Sequence, residues 1–214
     1  NPQLVWAAPV GQGNSRRNRV AAAPVVSGGL IFTMDALDRV QATSIAGAVV
    51  WAASLTAEFD RGGEISGGGL AVDGETLFAT TGYGELVAMQ AGSGQVLWRQ
   101  RLDSPVTGAP AVANGAVYAV GRDGAGFAVD AATGKVLWTV PGVPSPTGVI
   151  GSAAPAVTDR AVIFPFASGG MTAALRQSGL PVWEAPVTGQ RIGRAYQGLT
   201  DITGDPAVVG GTIY

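Results

Sequence analysis

Histidine and cysteine are both absent from the 214 residues, and that removes most familiar catalytic constellations at once. Without histidine the chain lacks the usual general base and the commonest metal ligand. Without cysteine there is no thiolate nucleophile, no disulfide and no thiolate-held zinc. A serine triad has no imidazole to complete it. Asp35 and Asp38 in "MDALDRV" have neither calcium-loop spacing nor a third acid nearby, and they read as turn residues. "RGGEISGGGLAV" (61–72) and "GYGELV" (82–87) are rich in glycine but fit no phosphate cradle that opens a helix, so they read as loops. Two carboxylates about 5–9 Å apart could cleave a glycosidic bond, a pair that spacing along the chain does not place. Arg16, Arg17 and Arg19 form the one basic cluster and read as a solvated loop. No catalytic, cofactor-binding or metal-binding residue is expected.

What remains is scaffolding. The composition is 47% hydrophobic and only 13% charged, with 33 glycines and 13 prolines, which argues against disorder and against long solvent-facing helices. A net charge of −2 offers no field for nucleic acid. No apolar run approaches the roughly 20 residues a membrane helix needs. "NPQLVW" (1–6) reads as a strand and not as a leader, so a signal segment is expected upstream or already removed.

The strongest signal is a repeat. All five tryptophans, Trp6, Trp51, Trp98, Trp138 and Trp183, stand 45, 47, 40 and 45 residues apart. The last four each follow a glycine by four places: Gly47, Gly94, Gly134 and Gly179. A second marker keeps phase with them: "APVVSGGLIF" (23–32), "GLAVDGETLF" (69–78), "APAVANGAVY" (109–118), "APAVTDRAVIF" (154–164) and "DPAVVGGTIY" (205–214). Each is an apolar segment, a turn, and a second segment closing on an aromatic. Asp73-Gly74, Asn114-Gly115 and Gly210-Gly211 are the residues a tight hairpin needs. A third segment and a Trp-bearing fourth follow, joined in "ATGK" by a three-residue hairpin with a bulge at Gly134.

Four strands repeating every 40–45 residues predict an all-β protein, a β-propeller of four-stranded antiparallel blades. A single blade cannot bury both faces and must stack on its neighbours. The tryptophan ring is expected between blades, its N–H bonded to a carbonyl next door. Repeats are expected at about 20–55, 66–102, 107–141 and 152–187, with a lone fourth strand at 1–10 and the start of a further blade at 203–214. That arithmetic suggests a portion of a longer propeller. A compact five-bladed closure is the alternative.

"AVDAATGKVLW" (128–138) resembles the tryptophan-docking repeat of quinoprotein-like propellers, and "AMQAGSGQVLW" (88–98) keeps it with Gln90 at the aspartate position. "APVVSGGLIFTMDALDRVQA" (23–42), "GGGLAVDGETLFATTGYGELVAM" (67–89) and "LTDITGDPAVVGGTIY" (199–214) resemble the BamB family. Its members are lipoproteins of the outer-membrane β-barrel assembly machinery, built as eight-bladed propellers. The resemblance implies about half of such a propeller, acting as a non-catalytic periplasmic scaffold. It implies tethering to the outer membrane by a lipidated cysteine upstream of Asn1. It also implies binding to the POTRA domains of the barrel-forming subunit, with unfolded outer-membrane proteins as further partners.

Partner contacts in the family come from loops bridging neighbouring blades, which match "SPTGVIGSAAP" (145–155) and "RIGRAYQGLTDITGDP" (191–206) here. Asp201 falls on an acidic position of the family pattern, while Thr203 stands where some members carry a second acid. Val149 and Ile150 replace a leucine and a basic residue. Arg191 and Arg194 share the second loop and carry forks suited to carboxylates. The same loop also reads as a tolerated long connection. A dehydrogenase fragment holding pyrroloquinoline quinone and calcium, or a propeller binding sugar or peptide in its funnel, are the alternatives of other classes.

Overall fold

The computed structural model describes residues 3–16, 18–56, 68–106, 108–142, 153–187, 202 and 204–214. Among them the regular elements are all β-strands. The first sheet comprises β1 (Val25–Ser27), β2 (Leu30–Met34), β3 (Arg39–Ser44) and β4 (Val49–Ser54). The second comprises β5 (Leu70–Asp73), β6 (Thr76–Thr80), β7 (Glu85–Gln90) and β8 (Val96–Arg101). The third holds β9 (Ala111–Ala113), β10 (Ala116–Val120), β11 (Gly126–Asp130) and β12 (Val136–Val140). The fourth holds β13 (Ala156–Val157), β14 (Ala161–Pro165), β15 (Gly170–Leu175) and β16 (Pro181–Pro186), and β17 (Val208–Val209) pairs with β18 (Thr212–Ile213). Every sheet is an antiparallel meander in chain order.

The first hairpins follow their turn chemistry. Gly28-Gly29, Asn114-Gly115 and Gly210-Gly211 have positive φ at both central residues, the twist that matches flanking strands. In the second sheet the register pairs Asp73 with Thr76, so the turn is Gly74-Glu75, one residue later than the sequence suggests. Only Gly74 is left-handed there. Gly134 is left-handed as expected, at φ 74°, but its loop has four residues, 131–134, because Asp130 N–H donates to the Lys135 carbonyl. The ladder slips nearby, where Ala128 pairs with Trp138 and Val129 with Val136, so Leu137 of β12 is the extra residue of a bulge.

The core lies between sheets, not within one. Alternate residues of β6 and β7 serve different neighbours. Leu77, Ala79, Val87 and Met89 pack with Phe32, Met34 and Val40 of the first sheet, whereas Phe78, Leu86 and Ala88 pack with Val117, Ala119 and Val129 of the third. Tyr118 and Val120 in turn meet Val162 and Phe164 of the fourth. A period of two on a strand buried on both faces is what stacked blades require. The first strands β1, β5, β9 and β13 approach one another in that order, which sets the four sheets side by side about an inner edge.

Polar ties reinforce the stack. Thr80 Oγ1 donates to the Gly108 carbonyl (2.7 Å) and accepts from Gly69 N–H (2.9 Å). Arg99 Nη1 donates to the Leu55 carbonyl (2.9 Å) and to Glu85 Oε2 (2.8 Å), holding the second sheet to the end of the first.

Residues 3–10, expected as a strand, form no ladder among the described residues. A fourth strand exists only by pairing with a third, and Leu4 and Val5 are exposed. The segment is held through side chains and loops instead: Gln41 Nε2 donates to the Pro9 carbonyl, and Asp35 Oδ2 accepts from Gln12 N–H.

Candidate partner interface

A site on this scaffold has to be placed by the junctions between blades, so their geometry comes first. Each tryptophan of the first three sheets lies across the glycine of the next. A Cβ built on Gly94 would stand 2.5 Å from Trp51, one on Gly134 would stand 2.8 Å from Trp98, and one on Gly179 would stand 2.7 Å from Trp138. Trp6 covers Gly47 at 2.9 Å in the same way. Each indole N–H then reaches a carbonyl at the start of the same turn: Trp6 to Ile45 (2.9 Å), Trp51 to Ala91 (2.8 Å), Trp98 to Ala131 (3.0 Å) and Trp138 to Arg176 (3.1 Å). Glycine is required twice over here, by its left-handed backbone and by the ring lying on its Cα. Trp183 differs. It is 37% exposed, and no glycine or carbonyl among the described residues meets it.

Within a sheet the ring rests on a row the sequence reading did not isolate. Phe32, Ala42 and Trp51 stand in register across β2, β3 and β4, as do Phe78, Ala88 and Trp98, and Tyr118, Ala128 and Trp138. Aromatic and tryptophan centroids lie 5.9–6.1 Å apart over the alanine between them. The signal was the alanine recurring in "VQA", "VAM" and "FAV". In the fourth sheet the row is Ile163, Ala173 and Trp183. Phe164, which the sequence aligns with Phe32, Phe78 and Tyr118, is one residue out of phase because "APAVTDRAVIF" has one residue more than its counterparts. A one-residue slip changes face, and Phe164 packs edge-on against Trp138 with centroids 6.0 Å apart.

The residues assigned to partner binding from sequence, Val149, Ile150, Arg191, Arg194 and Asp201, lie outside the described residues, as does Thr203. The stems of the two connections that carry them are described. Ala153 N–H donates to the Ile202 carbonyl (3.3 Å), and Ala154 N–H donates to Asp205 Oδ1 (2.7 Å). The exits of the two connections are thus bonded to each other although 51 residues separate Ala154 from Asp205. Beside the entry of the first, Pro141, Phe166, Met171, Thr172, Glu184 and Pro186 line a cleft of about 580 Å³.

The acids singled out for chemistry serve structure. Asp35 Oδ1 accepts from Leu37 and Arg39 N–H at 2.8 and 2.9 Å, closing the β2–β3 turn. Asp38 occupies that turn's left-handed position, φ 58°, where the other sheets have Gly84, Gly124 and Gly169. Among the described residues no three Asp or Glu side chains gather as a metal site. Asp130 lies below the ordinary carboxyl range, chiefly because the Thr133 hydroxyl donates to it. Burial pushes the Tyr118 phenol up, against the field of Arg176.

Comparison with known proteins gives this architecture a family. The family model described as "Outer membrane protein assembly factor BamB" matches residues 36–214. The protein of that name from Burkholderia pseudomallei is 30% identical over 212 residues, covering 97% of this chain and 52% of the relative. A quinohemoprotein alcohol dehydrogenase, ADH IIB from Pseudomonas putida, is 32% identical over 145 residues, but these cover 58% of this chain and 21% of the enzyme. Among solved structures, BamB from Moraxella catarrhalis superposes with a TM-score of 0.68 at 23% identity, over 93% of this chain and 55% of that one. This chain spans about half the length of the curated assembly factors it matches. With the family model covering most of its length and its sheets stacked as blades, the chain belongs to the BamB family of outer-membrane protein assembly factors.

Proposed function

We propose that the chain is a non-catalytic docking scaffold for outer-membrane protein assembly and holds a partner protein through the connections that contain 145–155 and 191–206. The observation that carries this reading is the bonding of their exits, Ala153 to Ile202 and Ala154 to Asp205, which brings the ends of two sequence-distant connections together. Loops carried on rigid blades are a common way to build a binding surface without a catalytic centre. The partner is a POTRA domain of the barrel-forming subunit, met by Arg191, Arg194 and Asp201 as charged contacts and by Val149 and Ile150 as an apolar centre. The compartment is the periplasm, with the whole protein tethered to the outer membrane by a lipid.

Titration with the tandem POTRA region, by calorimetry, tests the reading. Asp201→Arg and Arg194→Glu each reverse a charge and are expected to weaken binding by tenfold or more. Parental affinity in both variants would remove the loop assignment. Pyrroloquinoline quinone with calcium is expected to leave the absorbance of the mixture equal to the sum of its parts. A saturable spectral change would instead favour a dehydrogenase-like fragment.

A further inference from the structure

The end of the stack opposite the turns at Asp38, Gly84, Gly124 and Gly169 carries one departure from the repeat. In each sheet the first hairpin and the last hairpin are joined there by a single backbone hydrogen bond. Ile45 N–H donates to the Gly29 carbonyl (3.1 Å), Ala91 to Glu75 (2.8 Å), Ala131 to Gly115 (2.9 Å) and Arg176 to Arg160 (3.0 Å). Three of these pairs hold no cation. The fourth is two arginines. Backbone register therefore sets two guanidinium-bearing residues against each other, an arrangement that like-charge repulsion opposes. Neither side chain has an ion pair or a hydrogen bond among the described residues. Together with Asp159, Gln177 and Ser178 they line a pocket of about 320 Å³.

We propose that this pocket binds a phosphate-type anion through Arg160, Arg176 and the Ser178 hydroxyl. An anion between the two forks turns their repulsion into attraction. One guanidinium saturates a planar carboxylate by bidentate bonding. Two forks from separate hairpins, with a hydroxyl beside them, supply donors for the three or four oxygens of a tetrahedral group. Asp159 shares the rim and opposes the anion, so it lowers affinity without abolishing it. The phosphate can come from a soluble ester or from a lipid headgroup.

The test titrates the 214-residue chain at low salt with inorganic phosphate, with acetate, and with phosphatidylglycerol vesicles against phosphatidylcholine vesicles. Saturable binding of phosphate, or of the anionic vesicles alone, is expected. The first result assigns a soluble ester and the second a headgroup. The double variant Arg160→Gln, Arg176→Gln is expected to weaken that binding by tenfold or more, from the loss of charge-assisted hydrogen bonds. Asp159→Asn is expected to tighten it by about threefold. All three are surface changes, and unchanged thermal unfolding confirms that the fold is intact. No binding in either arm, acetate binding as tightly as phosphate, parental affinity in the double variant, or weaker binding in Asp159→Asn would each overturn the proposal.

Discussion

Trp98 and Trp183 occupy the same place in two copies of one sheet, yet they live in different surroundings. Trp98 has Phe78 and Ala88 beneath it, Gly134 against its face and the Ala131 carbonyl on its N–H. Trp183 stands over Ala173 and Ile163, is 37% exposed and meets no such glycine among the described residues. The sheet itself forms equally well in both cases. A blade's strand order is therefore a local property of its turns and alternation, whereas the tryptophan's burial belongs to the neighbour that receives it.

That contrast can be broken by substitution, and the largest effects are expected at the receiving glycine and at the ring it receives. Gly134→Val places branched carbons into Trp98 and onto a left-handed backbone, and should cost about 3–5 kcal/mol in urea unfolding. Gly92→Val, with nothing within 4 Å of its Cβ, should cost less than about 1 kcal/mol. Trp98→Ala tests the ring itself. Deleting a ring packed on both sides should cost about 3–5 kcal/mol, whereas Trp183→Ala should cost about 1 kcal/mol or less. Equal costs would mean that the blades do not dock through these rings. Ala128→Leu should lift Trp138 from its row and cost about 1–3 kcal/mol by overpacking.

The smallest effect concerns pH. The Asp130 carboxyl is held below its ordinary value of 3.8 by the Thr133 hydroxyl and the backbone N–H groups beside it. A folded-state value below the unfolded one stabilises the chain above about pH 3.8, and the gain fades as pH falls through the folded-state value. The stability difference between parent and Thr133→Ala should therefore narrow as unfolding is followed downward through that range. A difference that stays constant would remove the turn's charge from the account.

The stacked-blade fold was legible because two independent markers, the Gly–Trp spacing and the apolar hairpin, ran in phase over the whole chain. The burial of the tryptophans was legible for a chemical reason: a large apolar ring with one N–H needs a place between blades and one carbonyl, whereas the glycine that receives its face was not. Other features lay below the resolution of pattern. The extra residue in "APAVTDRAVIF" reverses the face of Phe164, and residue type cannot show a slip of one. The turn at Gly74-Glu75 was missed for a similar reason, since "DG" fits a hairpin as well as "GE" follows one. The alanine row escaped because alanine advertises nothing; its meaning lies in the room it leaves for a ring two strands away. Arg160 and Arg176 are 16 residues apart in sequence and become a pair only through β14 and β15.

Exchange of the indole N–H protons with solvent, followed by NMR on the tryptophan-labelled chain, tests the docking of blade on blade most directly. The account predicts slow exchange for Trp51, Trp98 and Trp138, whose protons are bonded to the carbonyls of Ala91, Ala131 and Arg176, and fast exchange for Trp183. Exchange at Trp98 as fast as at Trp183 would contradict it.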